Sequence, residues 1–251
     1  MKDEGNSSRS RLTGILGALA IAACGLGLTA GSASADENSQ QLSAEIKGDA
    51  VGFAAQTGQA STSDLSKVHQ QDIQVVANQN ADATQTASNT ANVSQTTVAA
   101  SGDATASGGG TASTGNAVAS SVSVVHQMNI QVVAGNGTCT VAQTATNTAN
   151  VSQDALAVSG NASASGGGSA SSGDATARNR SVIQQKNVQI YVCKGSSTGT
   201  QTAANTAGVT QDTAALTGNA AASSGGTADT GDATSTADSR IKQRNAQRTI
   251  N

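Results

Sequence analysis

The chain has no proline and no tryptophan, and only one phenylalanine, one tyrosine and two methionines in 251 residues. Aromatic residues make up 1% although hydrophobic residues make up 36%, so the apolar content is mostly alanine and valine and offers little bulk. Beyond residue 35 the aromatics are Phe53 and Tyr191, and the leucines are Leu42, Leu65, Leu156 and Leu216. Burying a methylene is worth about 0.8 kcal/mol, against an ordering cost of roughly 1–2 kcal/mol per residue. An alanine-lined interior therefore argues against a conventional globular core. With 28 glycines and no proline the chain is neither a Pro-rich linker nor a mucin-like stalk. Charged residues are 12% and the net charge is −3, too little for a charge-solvated tail and an argument against nucleic acid as a partner. Two states remain: disorder, or many repeated hydrogen bonds with tight packing of small side chains.

Catalytic groupings are equally scarce. His69 and His126 are the only histidines and fall at equivalent repeat positions, where later units carry Gln184 and Lys242. A metal site would need further ligands, so these read as ladder or surface residues. Gly-Asp steps resemble calcium-binding repeats, but the Gly-Gly-x-Gly-x-Asp nonapeptide is missing. No Gly-x-Ser-x-Gly elbow occurs, and the glycine runs lack the Lys-Ser/Thr ending of a phosphate loop. We expect no cofactor and no enzymatic activity.

The amino terminus has the order of an export signal. Lys2, Arg9 and Arg11 precede an apolar run from Leu12 to Leu28, and Ala33-Ser34-Ala35 precedes Asp36-Glu37. Basic start, apolar middle and small-x-small site predict a signal peptide over 1–35 with cleavage after Ala35. Ile21-Ala22-Ala23-Cys24 is a competing lipobox in which Cys24 would be acylated and the chain lipid-anchored. No second long apolar segment is present, so no transmembrane segment is expected in the mature chain. Residues 36–47 read as an N-terminal linker.

The rest of the chain is one motif repeated. The segment Gln85 to Gln95 returns at Gln143 to Gln153 and again at Gln201 to Gln211, a step of 58 residues both times. Gly102-Asp103-Ala104, Gly160-Asn161-Ala162 and Gly218-Asn219-Ala220 keep that step, as do Gly115-Asn116-Ala117, Gly173-Asp174-Ala175 and Gly231-Asp232-Ala233. The repeat domain spans 48–251, about three and a half units. Within each unit alternation has period two: Gln127, Asn129 and Gln131 point one way, and Met128, Ile130 and Val132 the other. Gly-Asp and Gly-Asn steps read as turns. Strands are expected near 68–77, 83–95, 117–134, 140–153, 176–193, 200–211 and 234–249. The fold class is all-β, a β-solenoid or stacked cross-β-like array.

Equivalent strands stacked in register place like side chains about 4.7–4.9 Å apart, where glutamine and asparagine amides bond to their own kind. Gln70, Gln127, Gln185 and Gln243 form one expected ladder, and Gln85, Gln143 and Gln201 another. Asn129, Asn187 and Asn245, and likewise Asn89, Asn147 and Asn205, recur in the same way. Cys139 and Cys193 are either one disulfide bridging neighbouring rungs or free thiols. Where earlier units carry Met128-x-Ile130-x-Val132 and Lys186-x-Val188-x-Ile190, the last has Lys242-x-Arg244-x-Ala246-x-Arg248, which reads as an edge-blunting cap or a basic tail.

Asn89, Ala91 and Gln95, repeated as Asn147, Ala149, Gln153 and as Asn205, Ala207, Gln211, resemble half of the curlin repeat, the motif of bacterial curli fibre subunits. Gln85, Gln143 and Gln201 resemble its first glutamine but sit one residue closer to the asparagine. Ala87, Ala145 and Ala203 stand where curlin has glycine. The resemblance implies an extracellular fibre or biofilm-matrix role. The functional expectation is a secreted, non-enzymatic structural or adhesive protein of the cell surface or extracellular matrix, associating with itself or with matrix components. The alternative is an ice- or crystal-surface binder using stacked rows of Thr86, Thr144 and Thr202 and of Thr90, Thr148 and Thr206.

Overall fold

The computed structural model describes residues 33–42, 48–51 and 54–250; Cys24 and most of the expected signal lie outside them. The chain is a β-solenoid of four stacked sheets, each of four parallel strands. Sheet I contains β1 (Ala33–Leu42), β5 (Ala81–Ala100), β9 (Cys139–Val158) and β13 (Ser197–Leu216). Sheet II contains β4 (Ala60–Asn78), β8 (Ala117–Gly135), β12 (Ala175–Cys193) and β16 (Ala233–Ile250). Two short sheets form a lobe at one end. One holds β2 (Gly48–Val51), β6 (Ala104–Ser107), β10 (Ala162–Ala164) and β14 (Ala220–Ala222). The other holds β3 (Ala55–Gln56), β7 (Thr111–Ser113), β11 (Ser169–Ser171) and β15 (Thr227–Asp229).

Each coil is thus one 58-residue unit: a long strand of sheet II, a tight turn, a long strand of sheet I, then the lobe. Strands of 18–20 residues at about 3.3 Å per residue give a flat coil roughly 60–65 Å long. Every strand expected from the sequence is present, extended at one or both ends. The lobe strands have no signature in the sequence, because two to four residues of Ala and Ser between turns are too few to display a period. The stretch read as a linker, 36–47, carries β1 as far as Leu42, and Ala35 lies within β1 opposite Ala91.

Register is uniform where the turns are uniform. The step is 58 residues between β5 and β9 and between β8 and β12 (Gln85↔Gln143, Gln127↔Gln185). It is 57 between β4 and β8 (Gln70↔Gln127), because the turn between Asn78 and Ala81 is one residue shorter than that between Gly135 and Cys139.

The corners explain the glycine columns. A Cβ on Gly160 would collide with the Gly102 carbonyl one coil below, and a Cβ on Gly218 would meet Gly160 in the same way. Only glycine lets the corner stack at strand spacing. The residue after each such glycine continues the column outside: Asn161 N–H donates to Asp103 Oδ1 at 2.6 Å, and Asn219 N–H to Asn161 Oδ1 at 2.8 Å. The corner Asp and Asn residues therefore act as acceptors for the next coil's backbone.

Between sheets I and II the interior alternates apolar and amide zones. Alanines such as Ala99, Ala117, Ala157 and Ala175 close the lobe end, and Val125, Ile183, Ala149 and Val151 fill the middle. Val133, Val141, Tyr191, Cys139 and Cys193 pack at the far turn. Small side chains let the two walls approach, which holds the amides between them away from water. Gly160→Ala is expected to cost about 1–3 kcal/mol, the usual penalty of overpacking a closed site, read as a fall in melting temperature. Ser163→Ala, outward on the adjacent short strand, should leave it unchanged.

Candidate functional site

The amide columns run the length of the interior. Gln127 Nε2 donates to Gln70 Oε1 at 2.7 Å, Gln185 to Gln127 at 2.8 Å and Gln243 to Gln185 at 2.8 Å. Gln143 donates to Gln85 at 2.8 Å and Gln201 to Gln143 at 2.7 Å. The second N–H of each interior amide crosses the core: Gln127 donates to the Thr148 carbonyl and Gln185 to the Thr206 carbonyl, both at 2.8 Å. One donor up the stack, one across it and one acceptor for the next coil satisfy a buried amide.

Two further ladders are present, marked by the same step though not among the expected ones. Gln74, Gln131, Gln189 and Gln247 form one, and Gln95, Gln153 and Gln211 the other, with bonds of 2.7–3.1 Å. The asparagines do more than stack on their own kind. Asn89 donates to Asn147 at 3.0 Å but also across the core to Asn129 at 2.7 Å. Asn129 donates to Asn187 and to Asn147, and Asn147 to Asn187 and to Asn205. Asn187 and Asn205 both donate to Asn245. The two asparagine columns therefore merge into one zigzag stitching sheet I to sheet II. Period and spacing reveal columns, but not which columns face each other.

The ladders are directional. Glutamine Nε2 points to the earlier coil, whereas the Nδ2 of the interior asparagines points to the later one. At the start of the array the asparagine column of sheet II begins with Asp72, which is 4% exposed. Burial raises its carboxyl above the ordinary carboxylate value. Nearby Asn89 Oδ1 is buried and accepts no hydrogen bond among the described residues.

Cys139 and Cys193 form a disulfide. It ties the start of β9 to the end of β12 in the next coil, beneath Tyr191, whose hydroxyl donates to the Cys139 carbonyl at 3.4 Å. Gly135 faces it, and a Cβ there would lie 2.6 Å from the Cys139 sulfur.

The outer faces differ. On sheet I, Thr86, Thr144 and Thr202 stand in register and outward, as do Thr90, Thr148 and Thr206. On sheet II, His69 and His126 lie in the column that continues as Gln184 and Lys242, with ring centroids 6.1 Å apart. A groove of about 340 Å³ runs beside them, lined also by Met128, Lys186 and Arg244. Among the described residues no group of three or more His, Cys, Asp or Glu is placed to hold a metal, and no helix is long and apolar enough to cross a membrane. Compared with protein families, characterised proteins and solved structures, the chain matches none.

Asp72→Asn should stabilise the array by about 1 kcal/mol at neutral pH, the net worth of a buried hydrogen bond. A carboxyl whose folded pKa is raised costs stability above that pKa and costs nothing once protonated in both states. The advantage of the asparagine, read in paired thermal melts, should therefore shrink as pH falls through the carboxylate range. Removing the disulfide by Cys139→Ser with Cys193→Ser should cost about 2–4 kcal/mol for a loop of this length, with no loss of strand signal in circular dichroism at low temperature.

Proposed function

We propose that the chain is an exported, non-enzymatic structural protein of the cell surface or extracellular matrix that assembles by stacking end to end. The observation that carries this reading is the last coil. β16 keeps the inward set of the interior coils, Gln243, Asn245 and Gln247, in register with Gln185, Asn187 and Gln189. The Oε1 atoms of Gln243 and Gln247 accept no hydrogen bond among the described residues. A finished monomeric solenoid closes its ends with residues that cannot continue the stack. Here the cations Lys242, Arg244 and Arg248 stand on the outer face of β16, so its inward side and backbone edge are left able to continue.

The first strand of sheet II supplies the matching surface. With β4 of a second copy on β16, Gln74 meets Gln247 with its amide in the donating sense. Asp72 meets Asn245, whose Nδ2 needs an acceptor there. Sheet I continues in the same step, β1 of the second copy following β13, so all four sheets extend together. Outside, the junction sets Arg240 beside Lys67, because both belong to the column through Val124 and Val182. That repulsion opposes stacking and is screened by salt, since the Debye length falls to about 3 Å at 1 M. The curlin-like segments and the expected signal peptide support an extracellular setting.

A second reading rests on the exposed hydroxyl rows of sheet I. Three strands present threonine columns about 4.7–4.9 Å apart across the sheet on a flat surface suited to an ordered lattice such as ice. Purified mature chain without thermal hysteresis or inhibition of ice recrystallisation would remove it.

For the stacking reading, light scattering and negative-stain microscopy should detect filaments whose growth accelerates with salt. Gln247→Lys should block growth while keeping the strand signal. A chain that stays monomeric at every salt concentration and concentration tried would refute end-to-end assembly.

A further inference from the structure

The outer face of sheet II is divided across the stacking axis. Its first three strands carry bulky aliphatic side chains in register, Ile73, Ile130 and Val188 in one column and Val75, Val132 and Ile190 in the next, with Lys67 the one outward Lys or Arg of β4 and β8. Leu65 is 59% exposed and Val75 65% exposed. In a chain so poor in large apolar residues, placing this many of them outward leaves an apolar area facing water. Such areas mark interaction surfaces.

Cations join the aliphatics on β12 and replace nearly all of them on β16. Arg178, Arg180 and Lys186 project outward from β12, and Arg240, Lys242, Arg244 and Arg248 from β16. One carboxylate lies among them, Asp238, 3.9 Å from Arg180. Lys186 sits directly opposite Arg244, a like-charge pair that weakens a sheet unless something neutralises it. Blunting the last edge accounts for charge on β16 alone and leaves the three cations of β12 unexplained. The outward face of sheet I has the opposite sign: Asp82, Asp154 and Asp212 stand there, and β5, β9 and β13 contain no Lys or Arg. A chain of net charge −3 thus presents one strongly basic facet.

Three occupants of this face can be compared. A second copy laid face to face meets cations with cations if the axes are parallel, and cations with aliphatics if they are antiparallel; both are unfavourable. A nucleic acid strand or a sugar polymer is held on such surfaces by aromatic platforms, and Tyr191, the one tyrosine of the long strands, faces inward. An anionic lipid surface offers phosphate to the basic half and apolar depth to the aliphatic half, the two contributions that interfacial binding combines. The groove beside Lys186, Lys242 and Arg244 has room for a headgroup phosphate, which would also relieve the Lys186–Arg244 repulsion.

We propose that the outer face of sheet II docks on an anionic lipid surface, with the Arg and Lys residues of β12 and β16 on the headgroups and the Leu65, Ile73 and Val75 region against the acyl boundary. Stacking is not required, because one chain carries both halves.

The test is co-flotation of the mature chain with vesicles of phosphatidylcholine alone or mixed with phosphatidylglycerol. Binding should be confined to the mixed vesicles and fall by more than about tenfold in Arg240→Gln/Lys242→Gln/Arg244→Gln/Arg248→Gln, since each cation near such a surface contributes roughly a fivefold factor. Leu65→Ser with Val75→Ser should weaken it separately, with the cations intact. The assembly-blocked Gln247→Lys chain should bind as the unaltered chain does, so that a failure to stack and a failure to dock are read independently. Equal binding to neutral vesicles, or unchanged binding by the four-Gln chain, overturns the proposal. Retention on a soluble polyanion (polyvinyl sulfate) with no effect of the Ser pair would show a charge-only surface and overturn it too. Should the four-Gln chain lose its strand signal, a salt titration of the unaltered chain decides: release by salt supports docking, and salt-insensitive binding refutes it.

Discussion

A buried primary amide tolerates one arrangement of neighbours and few others. It has two donors and an acceptor with two lone pairs, and each left unpaired in a closed interior costs about 1–3 kcal/mol. In this chain the spacing of parallel strands puts the same amide of the next coil within bonding reach, so the requirement is met by repetition. Most other features of the fold serve that spacing. Glycine at the corners lets the turns stack as closely as the strands. Alanine opposite the amides lets the walls close. The disulfide beneath Tyr191 joins two coils at the turn where no glutamine ladder runs.

The same requirement makes the interior polar and the exterior partly apolar, the reverse of the usual partition. Gln127, Asn129 and Gln131 are buried to 2% exposure or less, while Met128, Ile130 and Val132 between them face out. Alternation in the sequence was legible at once, and so were the step, the turns and the ladders through Gln70, Gln85 and Asn129. Burial of the amide side follows from the ladders themselves, since only stacking repays burying an amide, although composition rules alone favour the aliphatic side. The zigzag between Asn89, Asn129 and Asn147 was hidden. It depends on β5 and β8 facing each other across the core, and no local pattern states that distance. The lobe strands and β1 were missed because they are too short, or too poor in repeated side chains, to announce themselves.

Ladder direction adds a side-chain polarity to that of the chain, which advances coil by coil along the axis. Glutamine columns donate toward the earlier coil and the interior asparagine columns toward the later one, so the two ends of the array are chemically different surfaces. One end offers glutamine acceptors and asparagine donors. The other begins with Asp72, an acceptor without a donor of its own when ionised. Ends that differ in this way join head to tail and not head to head. Translation by one array length is a heterologous contact that does not close, which is the geometry of a filament.

Inside the solenoid a residue is constrained by its neighbours above and below, so the columns stay nearly constant: Gln70, Gln127, Gln185, Gln243. Outside, a residue answers to solvent or to a partner, and the columns drift. Ile73, Ile130 and Val188 end in Ala246, and Lys67, Val124 and Val182 end in Arg240. The constant columns therefore describe how the protein holds together, and the drifting ones describe what it meets. On sheet I the columns through Thr86 and Thr90 stay hydroxylated, while Thr96 gives way to Asp154 and Asp212. On sheet II the outward cations concentrate on β12 and β16, a bias along the axis that folding does not demand. A filament built from such coils would carry that bias as regular bands, alternately poor and rich in cations, along one side only.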